Sequence, residues 1–373
     1  MKTGEKQLKI ELIRKKSSDT ITGGPYSFLA VKNESSYLVS TLCKGYQLVE
    51  KGRVLYIGIL GEVHNIVYGM KYISKMDFYM IVINHKLYVK RIDDRPPCSY
   101  LTFDLEYGSL FKPDLCTMSL RRSNKAFLLM MQGDGNLLVV DLVSERFQNI
   151  LQFQGKNQGK IRMFRLLGDE VGDDRPPSSR FRSLVGVTAE ENLVLTVIEP
   201  GMRRVLFRKV CKIQVKLEGG DPEMPVSLST VITATKKHLV CIQTATKYRA
   251  LSRVLIFGVS LERGFEAFSV LDLRSRNLYS CLFFEYLILP KNSDFRKIFF
   301  VGFDNSKGRL ILIEYQSEDK SLRLSGVFYK TVTGEEIEEG SLSLCVVNSS
   351  FYFIANGCNL YRGWLMRSNL RLD

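Results

Sequence analysis

The sequence predicts an all-β fold: a single closed β-propeller of about seven four-stranded blades, with residues 1–373 as one domain. Three observations predict it. Apolar runs of strand length, rich in Val, Ile, Leu, Tyr and Phe, recur along the whole chain. They come in pairs joined by short polar turns, the sign of a hairpin. Seven such pairs start at positions 37, 78, 126, 184, 238, 297 and 350, a spacing of roughly 40 to 60 residues that exceeds a hairpin and suits a four-stranded sheet.

The pairs follow in order. Tyr37–Leu42 turns at Lys44-Gly45 into Tyr46–Val49, and Phe78–Ile83 turns at Asn84-His85 into Lys86–Lys90. Ala126–Met131 meets Leu137–Leu142 across Asp134-Gly135, where glycine accepts the positive φ that tight hairpins need. Leu184–Val187 pairs with Leu193–Ile198, and His238–Gln243 pairs with Arg253–Val259. Lys297–Gly302 pairs with Arg309–Tyr315, and Ser350–Ile354 turns at Asn356-Gly357 into Cys358–Tyr361. Between the pairs, Leu55–Leu60, Val205–Arg208, Phe265–Leu271 and Leu322–Tyr329 read as outer strands. Ile161, Phe164 and Leu167 sit at helical spacing, but the surrounding alternation favours a strand or loop there.

The ends suggest how the ring closes. After the last hairpin only the short run Gly363–Met366 remains, whereas Leu8–Ile13 has an alternating apolar face and no hairpin of its own. The N-terminal run is therefore expected to supply the missing outer strand of the last blade, which removes an exposed sheet edge.

Composition supports one large soluble fold. The hydrophobic share is 45% and the charged share 25%, enough for a core and inconsistent with disorder. The chain has 10 prolines and no long Pro/Gly/Ser-rich stretch to serve as a linker. It is basic, with 53 Lys+Arg against 39 Asp+Glu, so acidic partners are favoured: nucleic acid, an anionic membrane surface or an acidic protein. Eight cysteines without a CxxC pair, and only three histidines, argue against a metal site. The cysteines read as reduced thiols of an intracellular protein, cytoplasmic or nuclear. Residues 1–16 lack the apolar core of a secretory signal, and no apolar stretch approaches the roughly 18 residues of a transmembrane helix.

The chain resembles the seven-bladed propellers of the WD-repeat class in this rhythm of hairpins over nearly its whole length. The Gly-His and Trp-Asp dipeptides of that class are missing: Val63 and Lys237 precede His64 and His238, and Leu365 follows Trp364. The resemblance implies an adaptor, a protein that holds other proteins together in a multi-subunit complex.

Candidate contact residues follow from charge and loop chemistry. Met202–Lys209 places cations around an apolar core with one aromatic ring, and the basic stretch continues to Lys216. Arg203, Arg204, Arg208, Lys209 and Lys212 are the candidate partner-binding residues, and RNA or DNA is a second candidate partner for them. The tetrapeptide Asp-Arg-Pro-Pro occurs twice, at 94–97 and 174–177, and adds Arg95 and Arg175 as residues of two matching stiff loops. Asp169–Arg175 lacks the closing Glu of a calcium loop and reads as a solvated turn. Glu335–Glu339, an acidic run on a basic chain, reads as a solvated loop or as a contact for a basic surface. No nucleophile elbow, phosphate-binding loop or zinc-hydrolase helix motif is present, so neither catalysis nor a cofactor is expected. A propeller enzyme with acids gathered in its channel is the reading left open.

Overall fold

The computed structural model describes 28 strands and, outside them, residues 34–35, 51–52, 77, 213, 262–263, 273, 318–320, 329–338 and 356. The strands form seven four-stranded antiparallel sheets. The first comprises β2 (Tyr26–Asn33), β3 (Ser36–Thr41), β4 (Gly45–Glu50) and β5 (Arg53–Ile59). The second comprises β6 (Val67–Ile73), β7 (Phe78–Ile83), β8 (Lys86–Arg91) and β9 (Leu101–Asp104). The third has β10 (Leu115–Ser119), β11 (Ala126–Met131), β12 (Leu137–Asp141) and β13 (Arg146–Leu151). The fourth has β14 (Ile161–Leu167), β15 (Arg182–Thr188), β16 (Asn192–Glu199) and β17 (Arg204–Lys212). The fifth has β18 (Glu223–Ile232), β19 (His238–Thr246), β20 (Leu251–Ser260) and β21 (Gly264–Asp272). The sixth has β22 (Glu285–Leu287), β23 (Lys297–Asp304), β24 (Arg309–Gln316) and β25 (Ser321–Phe328). The seventh joins β26 (Gly340–Val347), β27 (Ser350–Ala355) and β28 (Asn359–Met366) to β1 (Gln7–Arg14).

β1 pairs with β28 from Gln7↔Met366 to Arg14↔Leu360, so the N-terminal strand does complete the last sheet. Two details differ from the sequence reading. Gly363–Met366 is not a separate run but the end of β28, and the remaining strand of that sheet is β26, which precedes the hairpin. The ambiguous 161–167 segment is strand, with Phe164 and Leu166 buried. No helix among the described residues is long and apolar enough to cross a membrane.

The chain divides into two compact units, residues 1–70 with 280–373, and residues 71–279. In the first unit the seventh sheet is buried on both faces, and the period of two in a strand decides which residue goes where. Phe351, Phe353 and Tyr361 pack with Phe299, Val301 and Leu312 of the sixth sheet. Tyr352, Ile354 and Leu360 pack with Leu29, Val31 and Val39 of the first. In the second unit Val185, Leu193 and Leu195 of the fourth sheet meet Leu228, Val240, Ile242 and Leu255 of the fifth.

Within each unit the first strands of neighbouring sheets lie side by side, as β26 does with β2 and β18 with β14. Cys345 Sγ donates to the Leu29 carbonyl at 3.0 Å, and Thr230 Oγ1 to the Leu166 carbonyl at 2.9 Å. Among the described residues the second and third strands are the most deeply buried: β3 and β27 are buried at every residue and β24 at all but its two ends. The fourth strands are half exposed, as in β21 and β25.

Six of those fourth strands carry a β-bulge against the third strand, placing one extra residue on the outer strand: Ile13, Leu55, Asn149, Leu206, Phe268 and Ser325. A bulge twists an edge and breaks the ladder that a further strand would extend. In the fifth sheet the extra residue also fills a space. Phe268 lies over Gly258, whose added Cβ would come within 2.1 Å of the ring.

Candidate partner-binding surfaces

The predicted basic segment becomes β17, the outer strand of the fourth sheet, paired with β16 from Asn192↔Lys212 to Glu199↔Arg204. Alternation along its C-terminal half points Cys211 toward the core shared with the fifth sheet, and leaves Val210 49% exposed. Ile213, just beyond, is buried and anchors the strand end.

Beside β17 runs β21, the outer strand of the fifth sheet. Lys209 Nζ donates to the Glu262 carbonyl in the β20–β21 turn, so the lysine spans two sheets of its unit. The turn is itself held by Arg263 N donating to Ser260 Oγ at 3.0 Å, and by Gly264 at φ 82°. On β21, Glu266, Ala267 and Asp272 are exposed, and Val270 is 57% exposed. The two strands thus present an outward strip on which two bare valines stand among charges of both signs.

Of the predicted residues, Arg204, Arg208, Lys209 and Lys212 share β17. Arg203, Arg95 and Arg175 lie outside the described residues, as do both Asp-Arg-Pro-Pro loops and the acidic turn at 169–175. The contribution of β21 was not among the sequence-level candidates. In the sequence, Phe265–Leu271 reads only as an outer strand.

A second surface lies in the other unit. Residues 329–338, between β25 and β26, form a short tongue of Tyr329, Lys330, Thr331, Val332, Thr333, Gly334, Glu335, Glu336, Ile337 and Glu338. Lys330 and Glu336 form a bridge, Ile337 N donates to the Tyr329 carbonyl at 2.8 Å, and Thr331 N to the Glu335 carbonyl at 2.8 Å. Gly334 adopts φ 85°, which glycine accepts without steric cost.

Three anchors hold the tongue. Ile337 is buried in the core with Leu8, Ile10 and Leu344. Asn356 in the β27–β28 turn accepts from Glu338 N at 2.6 Å and donates to the Glu336 carbonyl at 2.9 Å. Val332 N donates to the Ile10 carbonyl at 2.7 Å, which ties the tongue to β1. What it leaves outside is Tyr329, 56% exposed, Val332, 54% exposed, and the side chains of Thr333, Glu336 and Glu338. Lys330 Nζ sits 3.4 Å from Glu336 and over the Tyr329 ring. Of the acidic run expected to be a solvated loop, Glu336 and Glu338 are exposed, Glu335 is half-buried, and Ile337 is buried and fixes the segment.

No group of three or more potential metal ligands occurs among the described residues. Burial pushes the Cys241 thiol far above its ordinary value, so it is a packing group of the fifth sheet rather than a nucleophile.

No protein family's sequence profile matches the chain, and no curated protein matches it in sequence. Solved structures do match. The chain is similar to the Nup133 β-propeller domain of Vanderwaltozyma polyspora, with a TM-score of 0.59 and 13% identity, covering 97% of this chain and 98% of that one. It is similar to the WD40 β-propeller domain of Doa1, with a TM-score of 0.55 and 12% identity, covering 98% of each. It is also similar to Kuenenia stuttgartiensis hydrazine synthase, with a TM-score of 0.57 and 12% identity over 96% of this chain and 99% of that one. At such identity the likeness carries the fold and no activity. The chain has a β-propeller fold and resembles the WD-repeat propellers in architecture.

Proposed function

We propose that this chain is a non-enzymatic scaffold, a subunit that holds protein partners in a larger intracellular complex, in the cytoplasm or nucleus. The observation that carries the reading is the pair of neighbouring outer strands β17 and β21, of different sheets, on which Val210 and Val270 are each about half exposed and which Lys209 links through the Glu262 carbonyl. Exposed aliphatic side chains on a rigid, charge-rimmed sheet edge favour docking of another protein. The basic run of β17 favours an acidic surface on that partner. The propeller likeness to Nup133 and Doa1 is consistent with an interaction role, though it is a likeness of fold. The proposal includes the expectation that residues 1–373 act as a single closed propeller.

The test is affinity purification of the tagged chain from its native source, with and without nuclease, read by mass spectrometry. Protein partners that survive nuclease and are lost in a Val210→Asp, Val270→Asp variant support the scaffold and its surface. Partners released by nuclease would replace it with direct nucleic-acid binding. Partners retained by the double variant would keep the scaffold and move its surface elsewhere.

A further inference from the structure

Two threonines in the sequence carry glutamate at both the second and third following positions: Thr188, before Glu190 and Glu191, and Thr333, before Glu335 and Glu336. The fold treats them in opposite ways. Thr188 ends β15, is buried at 3% exposure, and its Oγ1 accepts a hydrogen bond from Asn192 N at 3.1 Å. Thr333 stands exposed in the tongue turn, with its Oγ1 2.8 Å from that of Thr331. Thr331 is itself buried, and its Oγ1 accepts from Glu335 N at 3.1 Å, so it is neither accessible nor free to leave its turn. Glu336 and Glu338 are exposed beyond Thr333.

We propose that Thr333 is a phosphoacceptor for an acid-directed serine/threonine kinase. Such kinases select substrates by charge pattern, with basic side chains that receive carboxylates following the acceptor hydroxyl. The tongue supplies that pattern on a fixed backbone: an exposed threonine, then glutamates whose main chain is held by Asn356, at the Glu338 amide and the Glu336 carbonyl, and by the buried Ile337, with the exposed Glu336 carboxylate 3.4 Å from Lys330 Nζ. It does so on a chain whose formal charge is +14, where an acidic recognition surface is set apart from its surroundings. In the reaction the Thr333 Oγ1 attacks the γ-phosphorus of a nucleoside triphosphate bound by the kinase. The new P–O bond forms as the bond to the bridging oxygen breaks, the hydroxyl proton passes to the kinase's base, and the nucleoside diphosphate leaves. The product places a phosphate of charge about −1.5 to −2 beside Glu335 and Glu336. Like-charge repulsion there weakens the turn that holds Val332 N on the Ile10 carbonyl.

The experiment treats the purified full-length chain with an acid-directed kinase and ATP, and locates phosphate by peptide mass spectrometry. One phosphate on Thr333 is expected, with Thr188 and Thr331 unlabelled. Thr333→Ser retains labelling and Thr333→Ala loses it. Glu335→Gln combined with Glu336→Gln lowers the initial rate roughly tenfold or more while the circular dichroism spectrum stays unchanged. An unlabelled Thr333, labelling of Thr188 in the folded chain, or an unchanged rate in the double Gln variant would each overturn the proposal.

Discussion

Arg362 Nη1 lies 2.6 Å from Glu34 Oε1, and this ion pair joins the last strand of the chain to the first turn of the first sheet. The same guanidinium reaches Glu11 of β1 at 3.5 Å, donates to Ser350 Oγ at 3.1 Å, and lies 5.2 Å from the centre of the Trp364 ring. One half-buried cation thus ties together the inserted N-terminal strand, its host sheet and the neighbouring sheet. Glu34 is more than half exposed, so its carboxylate is screened and contributes little alone. Arg362→Ala should cost more, about 1–2 kcal/mol, because its stem packing and ring contact go as well. Glu34→Gln should cost less than about 1 kcal/mol and lose its effect in high salt. Chemical denaturation of both variants at low and high salt checks this ordering.

Gly363 is required by the ring facing it. It pairs with Phe351 across β27–β28, and a Cβ there would stand 2.0 Å from Phe351 Cζ. Phe351 is fully buried and cannot swing into solvent. Gly363→Ala should therefore destabilise by about 1–3 kcal/mol through overpacking. The double variant Gly363→Ala, Phe351→Leu should be more stable than the sum of the two single changes predicts, since the shorter side chain frees the space. Additive losses in thermal or denaturant unfolding would refute the steric explanation.

The hairpins were legible because second and third strands such as β3, β19, β24 and β27 are buried on both faces, and such strands read as unbroken apolar runs. The first strands were harder to see. β18 opens with Glu223, Met224 and Pro225 and then alternates with serine, because its bulge at Val226 and its contact with β14 decide its place. The N-terminal strand was legible from alternation alone: Leu8 and Ile10 on one face both enter the core of the seventh sheet. The tongue was not. Its anchor is one isoleucine among four glutamates, and only a tertiary core drawn from the sixth and seventh sheets, with Leu8 and Ile10 of β1, gives that isoleucine its meaning. For the same reason the β17 cations were readable as a charge pattern, while the β21 strip beside them depended on tertiary contact.

The fifth sheet sets a pH limit through Cys241. Burial holds its thiol protonated in the folded chain, far above its ordinary value of 9.0. The unfolded chain, whose thiol ionises near that ordinary value, binds fewer protons once pH exceeds it. The contribution of Cys241 to stability is therefore complete below pH 9 and falls as pH rises beyond it. Cys241→Ala should flatten that alkaline decline while costing some packing at neutral pH. In the native chain Cys241 should also resist alkylation at pH 8 under conditions that modify the only partly buried Cys211, as mass spectrometry of the two peptides would read.

The tongue protects the outer edge of β1, and this can be tested without any partner. Val332 N donates to the Ile10 carbonyl, and Ile337 carries the tongue into the same core as Ile10. Ile337→Ala removes that anchor and should destabilise by about 2–4 kcal/mol, with the loss concentrated in the first unit. Val332→Pro removes the donor and fixes φ on an exposed residue, and should leave global stability within about 1 kcal/mol. Hydrogen exchange then separates two roles. If the tongue guards the edge, Val332→Pro accelerates exchange of the β1 amides while those of β27 stay protected. Equal protection of β1 in the variant and the parent would mean that pairing with β28 alone holds the N-terminal strand, leaving the tongue as a surface feature only.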